Sequence, residues 1–481
     1  MQPHVGLLAS PGMGHLIPAM ELAKRLLTHH RFTVTVFIVT TDSTTTRSHI
    51  LQYTSSLPSL NILILPPLDI SHKLGPDATL AARVGLTMFD SLPSLRSSIL
   101  SINPRPSALI VDLFGTLAFP MARDLGMLTY VFITCNAWFT AVTVYLPVID
   151  KQMEDRHVYH HEPLRLPGCK PVRFEDTLEP FLFRDGPMYE GYLKAAKDII
   201  SADGILVNTW QDLEPAAVKA LMDRDVLGGI PERAVYFVGP LVRGREAKPE
   251  EKREEVLRWL DEQEVESVIY VSFGSGGTLS AAQIAEVAWG LELSEQRFVW
   301  VVRPPVEEDV SGSFFQVKGR KELERLDYLP EGFVERTEKV GRVVPLWAPQ
   351  AEILGHASVG GFVTHCGWNS TLESLGNGVG MVAWPLYAEQ RMNARVMVEE
   401  LGVAVRVEGL ESESEGGVVG REEVGKVVRR IMVEEEGKRI RKRAKELKVS
   451  GEKAVSEFGS SHHSLCLMTK DFLNYVEAQS L

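Results

Sequence analysis

Residues 347–390, WAPQAEILGHASVGGFVTHCGWNSTLESLGNGVGMVAWPLYAEQ, decide the fold class. Val359–Thr364 is an apolar, β-branched run, and after His365-Cys366-Gly367-Trp368-Asn369-Ser370 the spacing becomes helical. In an open α/β sheet, ligands bind at the carboxyl ends of strands. The following helix starts there, with unpaired N–H groups and a positive dipole end. Gly367 permits close approach to the backbone, and Asn369 and Ser370 add side-chain donors, which makes a phosphate cradle without a P-loop lysine. Glu373 follows Asn369 by four residues, on the same helix face and one turn deeper. A carboxylate there would repel phosphate unless it accepts hydrogen bonds from sugar hydroxyls, and a ribose diol meets that need. Trp347, at another strand's end, offers a flat face to a base. A nucleotide diphosphate satisfies all of these groups, and Glu389 and Gln390 can hold hydroxyls beyond its phosphates.

Outward from this stretch, short β-branched runs alternate with amphipathic helical spacing, the pattern of parallel βαβ units. The first half predicts strands at 4–10, 33–40, 61–65, 108–114, 130–134 and 204–208, and helices at 15–29, 79–100 and 187–200. A strand ends at Tyr236-Phe237-Val238-Gly239-Pro240, and residues 241–253, LVRGREAKPEEKR, read as a linker. The second half predicts strands at 267–273, 297–303, 342–346, 360–364, 381–384 and 403–407, with helices at 280–293, 369–377 and 389–401. Residues 304–330, holding Glu307, Glu308 and Asp309, read as a surface insertion, and the tail from Arg421 as helical. The expected fold class is α/β: two doubly wound Rossmann-like domains facing across a cleft. The expected domains are 1–240 for the acceptor and 254–459 for the nucleotide sugar, with a C-terminal helix, about 460–481, packing back on the first.

The chain has 481 residues, 44% apolar and 24% charged, with a formal charge of −12. That composition is ordinary for large globular domains. An acidic chain whose one basic run, residues 438–443, sits among glutamates is a poor binder of nucleic acid or anionic membranes. Cys135, Cys169, Cys366 and Cys466 lie far apart, which argues against a disulfide framework or structural zinc. No basic n-region precedes Val5–Ala9, and no run approaches the ~20 apolar residues of a membrane span. A cytoplasmic monomer is the expectation.

The ordered combination of Trp347, Gln350, His365 to Ser370, Glu373 and Glu389-Gln390 resembles the signature box of plant UDP-glycosyltransferases. Ser10-Pro11-Gly12-Met13-Gly14-His15, Val111-Asp112-Leu113-Phe114-Gly115-Thr116, Leu166-Pro167-Gly168-Cys169, Ser272-Phe273-Gly274-Ser275-Gly276-Gly277-Thr278 and Trp384-Pro385-Leu386-Tyr387 extend the likeness. They resemble the phenol-acting group that includes hydroquinone glucosyltransferase. The resemblance implies the glycosyltransferase-B fold. It places Trp347 and the Ala348 backbone on uracil, and Gln350 and Glu373 on ribose. It assigns His365, Asn369, Ser370 and Ser275 to the diphosphate, and Trp368, Glu389 and Gln390 to the sugar. Gln390 is associated with UDP-glucose rather than UDP-galactose. Two departures stand out: Gly380 occupies a position usually held by proline, and no sugar donor is assigned within Thr134-Cys135-Asn136. Glycine for proline should loosen the turn and lower stability.

Glucosylating a phenol requires removal of a proton from a weak nucleophile, and a neutral imidazole does this near pH 7. His15 follows the first strand and Asp112 a later strand of the same sheet; an aspartate on the other ring nitrogen would hold the tautomer. Both match the family's catalytic pair. Attack opposite the departing UDP inverts the anomeric carbon and gives a β-glucoside, and the helix terminus neutralises the diphosphate without an obligatory metal or cofactor. The acceptor pocket is expected around Phe114, Phe119, Trp138, Leu146 and residues near 80–90 and 180–190. The same base could serve transfer to carbon, nitrogen or sulfur. Two rivals are a non-catalytic sugar-nucleotide binder and a dinucleotide oxidoreductase. The latter rests on Gly12-Met13-Gly14 and Asp42, but Ile17 stands where the fingerprint needs its third glycine.

Overall fold

The computed structural model describes residues 2–40, 57, 59–70, 72–75, 78–152, 157, 159–182, 186–223, 225–230, 233–244, 254–306, 325–410 and 417–479. Most of the expected linker, much of the 304–330 insertion including Glu307, Glu308 and Asp309, and Asp42 lie outside the described residues. The chain forms two compact units: Met1–Phe174, Pro180–Val242 and Gly451–Leu481 in one, Glu175–Glu179 and Arg243–Ser450 in the other.

The first unit holds strands β1 (His4–Ala9), β2 (Thr33–Ile38), β3 (Asn61–Ile64), β4 (Ala108–Val111), β5 (Leu128–Ile133), β6 (Gly204–Val207) and β7 (Val235–Phe237). They pair in parallel in the order β3-β2-β1-β4-β5-β6-β7. The near-continuous apolar runs of β1, β4, β5 and β6 are wholly buried, as a sheet covered on both faces demands. Leu465, Met468 and Phe472 of the helix Ser460–Gln479 sit in this unit's core. Gly451, where the chain re-enters the unit, packs against Pro240 and Trp210: a Cβ there would lie 3.3 Å from Pro240 Cγ and 3.4 Å from Trp210 Cζ2.

The apolar run at 108–114 ends as a strand at Val111. Asp112 accepts the N–H groups of Phe114 and Gly115, both at 3.1 Å, and so starts the 3-10 turn Leu113–Ala118. The helix Ala137–Gln152 carries no helical signature, being rich in Thr and Val. Its start is capped by Asn136, which accepts from Phe139 N–H at 2.7 Å, and by Glu214, which accepts from Ala137 and Trp138 at 3.0 and 3.2 Å.

The second unit holds β8 (Val268–Ser272), β9 (Arg297–Val302), β10 (Gly341–Pro345), β11 (Val359–Thr364), β12 (Gly380–Ala383) and β13 (Ala404–Arg406). Their order, β10-β9-β8-β11-β12-β13, repeats that of the first six strands, again all parallel. The helix expected at 389–401 is an α-helix, Gln390–Arg395, continued by a π turn, Val396–Glu400. A Cβ on Gly380 would come within 2.8 Å of Ile440 Cγ2. The glycine therefore admits the helix Glu435–Val455 close to β12, a packing use that the reading of a merely loosened turn does not contain. In each unit the strand order reverses beside the first strand, between β1 and β4 and between β8 and β11, and ligand sites form at such points. Among the described residues no helix is long and apolar enough to cross a membrane, and no group of three or more His, Cys, Asp or Glu could hold a metal ion.

Candidate active site

In the first unit the register Leu8↔Val111 sets the residues just past β1 and β4 side by side. Asp112, 5% exposed, accepts from Ser10 N–H at 2.9 Å and Ser10 Oγ at 2.6 Å, besides its two cap bonds. His15 lies in the first turn of the helix Met13–His29, with Nδ1 3.2 Å from Asp112 Oδ2. Burial alone would raise the Asp112 pKa. The charge and hydrogen bond of His15, with the two Ser10 bonds, overcome this and hold the carboxyl below its ordinary value. The result is a fixed carboxylate beside a ring that keeps 26% of its surface exposed. Phe114 stands edge-on to that ring, centroids 5.5 Å apart.

In the second unit, His365 follows β11, and its ring fits between two glycines. A Cβ on Gly274 or on Gly367 would fall 2.5 Å from His365 Nε2. Gly367 thus makes room for the histidine ring, a use the sequence pattern had given to a ligand. Burial, aided by the charge of Arg303, lowers the His365 pKa to about 4, so the ring is neutral at physiological pH. Beyond it, Gln350 Nε2 donates to Ser370 Oγ at 3.0 Å and to Glu373 Oε2 at 2.7 Å. Glu373, 8% exposed, is pushed up to about 7, chiefly by burial, although the Gln350 bond opposes the shift. Trp347 is 48% exposed beside Leu346, whose φ of 65° lifts the chain out of the β10 line. Ala348 is buried, and Ser275 is exposed on the turn after β8. A flat aromatic face, a buried carboxylate and the start of the helix Trp368–Asn377 therefore converge past the ends of β8, β10 and β11.

Residues 232–422 match the family UDP-glucoronosyl and UDP-glucosyl transferase. Anthocyanidin 3-O-glucosyltransferase 5 of Manihot esculenta is 47% identical over 98% of this chain and 96% of its own length. Hydroquinone glucosyltransferase of Rauvolfia serpentina is 42% identical over 99% of both chains. The crystal structure of TcCGT1 in complex with UDP superposes with a TM-score of 0.91 at 46% identity, covering 98% of this chain and 100% of that one.

The chain belongs to the plant UDP-glycosyltransferase family. It is a UDP-sugar-dependent glycosyltransferase of the glycosyltransferase-B class, and the dinucleotide and non-catalytic readings fall away.

Not every family position presents its side chain to a ligand. Trp368 is 2% exposed, so its ring is core packing rather than a sugar platform. Gln390, 4% exposed, accepts at Oε1 from Leu386 and Tyr387 N–H at 2.9 and 3.1 Å, which leaves its amide nitrogen as the group not used in holding the turn. Glu389 Oε1 lies 3.5 Å from Asn393 Nδ2, which also donates to Cys366 O. Of the four residues expected around an acceptor, Phe119, Trp138 and Leu146 are at most 4% exposed and belong to the core, and Phe114 alone is partly open. Within Thr134-Cys135-Asn136, only Thr134 is more than marginally exposed.

Arg303 escapes the sequence reading because it looks like an ordinary charge closing a strand. Its Nη2 donates to Leu346 O at 3.0 Å, and among the described residues its buried Nε has no partner and no carboxylate pairs with it. Burial lowers its pKa, and its charge reaches His365, Tyr270 and Tyr387. A positive charge held this way beside the helix start is the feature a diphosphate would compensate.

Proposed function

We propose that the protein transfers glucose from UDP-glucose to a hydroxyl of a small phenolic acceptor, with inversion. The observation that carries this reading is His15 Nδ1 at 3.2 Å from a buried, multiply hydrogen-bonded Asp112. With Nδ1–H facing the carboxylate, Nε2 takes the acceptor's proton as its oxygen attacks the anomeric carbon. The bond from that carbon to the phosphate oxygen breaks and UDP leaves as the anion. Asp112 steadies the imidazolium, and the proton passes to solvent after release.

The second unit holds the donor in this reading. Trp347 stacks on uracil, the Ala348 backbone bonds it, and Gln350 and Glu373 take the ribose hydroxyls. His365, Asn369, Ser370 and Ser275 hold the diphosphate at the helix start, with Arg303 adding charge. Glu389 and the amide nitrogen of Gln390 hold the sugar, with glucose preferred over galactose. No metal is needed because the helix start and Arg303 neutralise the leaving group, so activity persists in EDTA. The relatives named for anthocyanidin and hydroquinone glucosylation support phenolic acceptors.

The test is mass spectrometry of products from UDP-glucose and a panel of phenols, flavonoids, anilines and thiols. Gain of one hexosyl unit on phenols, removable by acid and β-linked, is the expected outcome. Acid-stable products would place the bond on carbon, and faster turnover with UDP-galactose would reject the glucose preference.

A further inference from the structure

Residues 175–179 belong by contact to the second unit although they precede it by more than sixty positions. Two acids in this short segment tie it to the second unit, one of them at the turn that carries Glu389 and Gln390. Asp176 is fully buried; Oδ1 accepts from Arg406 at 2.6 Å and Oδ2 from Arg395 at 3.3 Å. Arg395 ends the helix that Gln390 begins, and Arg406 ends β13. Glu179 then reaches the turn itself: its Oε2 accepts from Ala388 N–H at 3.1 Å, and its own N–H meets Ala388 O at 3.4 Å.

Ala388 has φ 56°, a left-handed conformation unfavourable for a non-glycine residue, which persists only where its neighbours determine it. Here they do. The N–H groups of Leu386, Tyr387 and Ala388 all end on side-chain oxygens, the first two on Gln390 and the third on Glu179. Gln390 alone orders only its own end of the turn. The bond to Glu179 fixes the residue directly before Glu389.

We propose that Glu179 is a positioning residue for donor-sugar recognition, with Asp176 anchoring the segment that presents it. The inference rests on the proposed reading of Glu389 and Gln390 as the groups that hold the sugar. Glu179 touches none of Trp347, Gln350, His365 and Glu373 in any hydrogen bond, so its loss should affect the sugar and spare the nucleotide.

Glu179→Ala, Glu179→Gln and Gln390→Ala test this in the full chain, read by KM for UDP-glucose, by the UDP-glucose to UDP-galactose preference and by UDP inhibition. Glu179→Ala should raise KM for UDP-glucose about tenfold and erode the sugar preference, with UDP inhibition unchanged and the chain still folded at the assay temperature. Glu179→Gln keeps an oxygen for Ala388 N–H and should restore both parameters. Unchanged KM and preference in Glu179→Ala, while Gln390→Ala shifts them, would overturn the positioning role alone. An equal rise in the UDP inhibition constant would overturn it too, since the damage would then be general. If Gln390→Ala also leaves the preference intact, the reading of the turn fails and the inference fails with it.

Discussion

The two units share a strand order yet treat their switch points in opposite ways. At the β1/β4 switch point Asp112 collects four hydrogen bonds and an imidazole, and its charge is fully compensated. At the β8/β11 switch point the polar groups stay under-compensated. Among the described residues Arg303 has no carboxylate partner and His365, a neutral ring, has Nδ1 buried and unpartnered, while Glu373 is pushed up to about 7. A firmly held carboxylate beside an imidazole suits repeated proton transfer, because the pair must return to the same arrangement at the start of every cycle. Unsettled groups suit binding, because a ligand carrying phosphates and hydroxyls supplies what they lack. In the proposed reading, one topology serves chemistry in one unit and affinity in the other.

The largest effect should come from breaking the compensated pair. Asp112→Asn retains the shape but loses the charge opposite His15, and its kcat should fall about a hundredfold or more with UDP affinity intact. A loss under threefold would mean that the carboxylate only ties β1 to β4. Next comes Arg303→Met, which removes the uncompensated charge at similar length. UDP affinity should fall about thirtyfold and uridine affinity much less. Equal losses for both would show that Arg303 only shapes the Trp347 turn through Leu346 O.

The smallest effect concerns Glu373. Its pKa lies above the ordinary 4.5, at about 7, so its favourable contribution to apo stability is complete below about pH 4.5 and is lost as pH rises through 7. Glu373→Gln should therefore melt higher than the native chain at pH 8, with the gain shrinking towards pH 5. UDP-glucose affinity should weaken in the native chain between pH 8 and pH 6, as the ribose acceptor is protonated, and the slope should vanish in Glu373→Gln. A pH-independent native affinity would remove Glu373 from the ribose site.

Much of this was legible in the sequence because buried parallel strands declare themselves as apolar runs and the nucleotide box is contiguous. Val359–Thr364 and the residues after it place a strand, a turn and a helix start in one reading. What stayed hidden depends on side-chain bonds, some local and some distant, that the pattern of apolar runs does not carry. Asp112 ends a strand four residues long because its carboxylate turns back on the N–H groups of Phe114 and Gly115. The start of Ala137–Gln152 is capped by Asn136 beside it and also by Glu214, 77 residues from Ala137, and the second cap leaves no local mark in the sequence. Asp176 finds its arginines 219 and 230 residues away, and no local pattern reveals such a pair. Gly380 shows the reverse case, where a departure from the family's proline is explained only by the close approach of Ile440.

His15→Ala tests the division of labour most directly, with turnover of UDP-glucose plus a phenol and calorimetric UDP binding measured on one preparation. Turnover should fall by about a thousandfold while the UDP dissociation constant stays within about twofold. Turnover near the native rate, or a parallel loss of UDP affinity, would contradict the assignment of chemistry to the first unit and binding to the second.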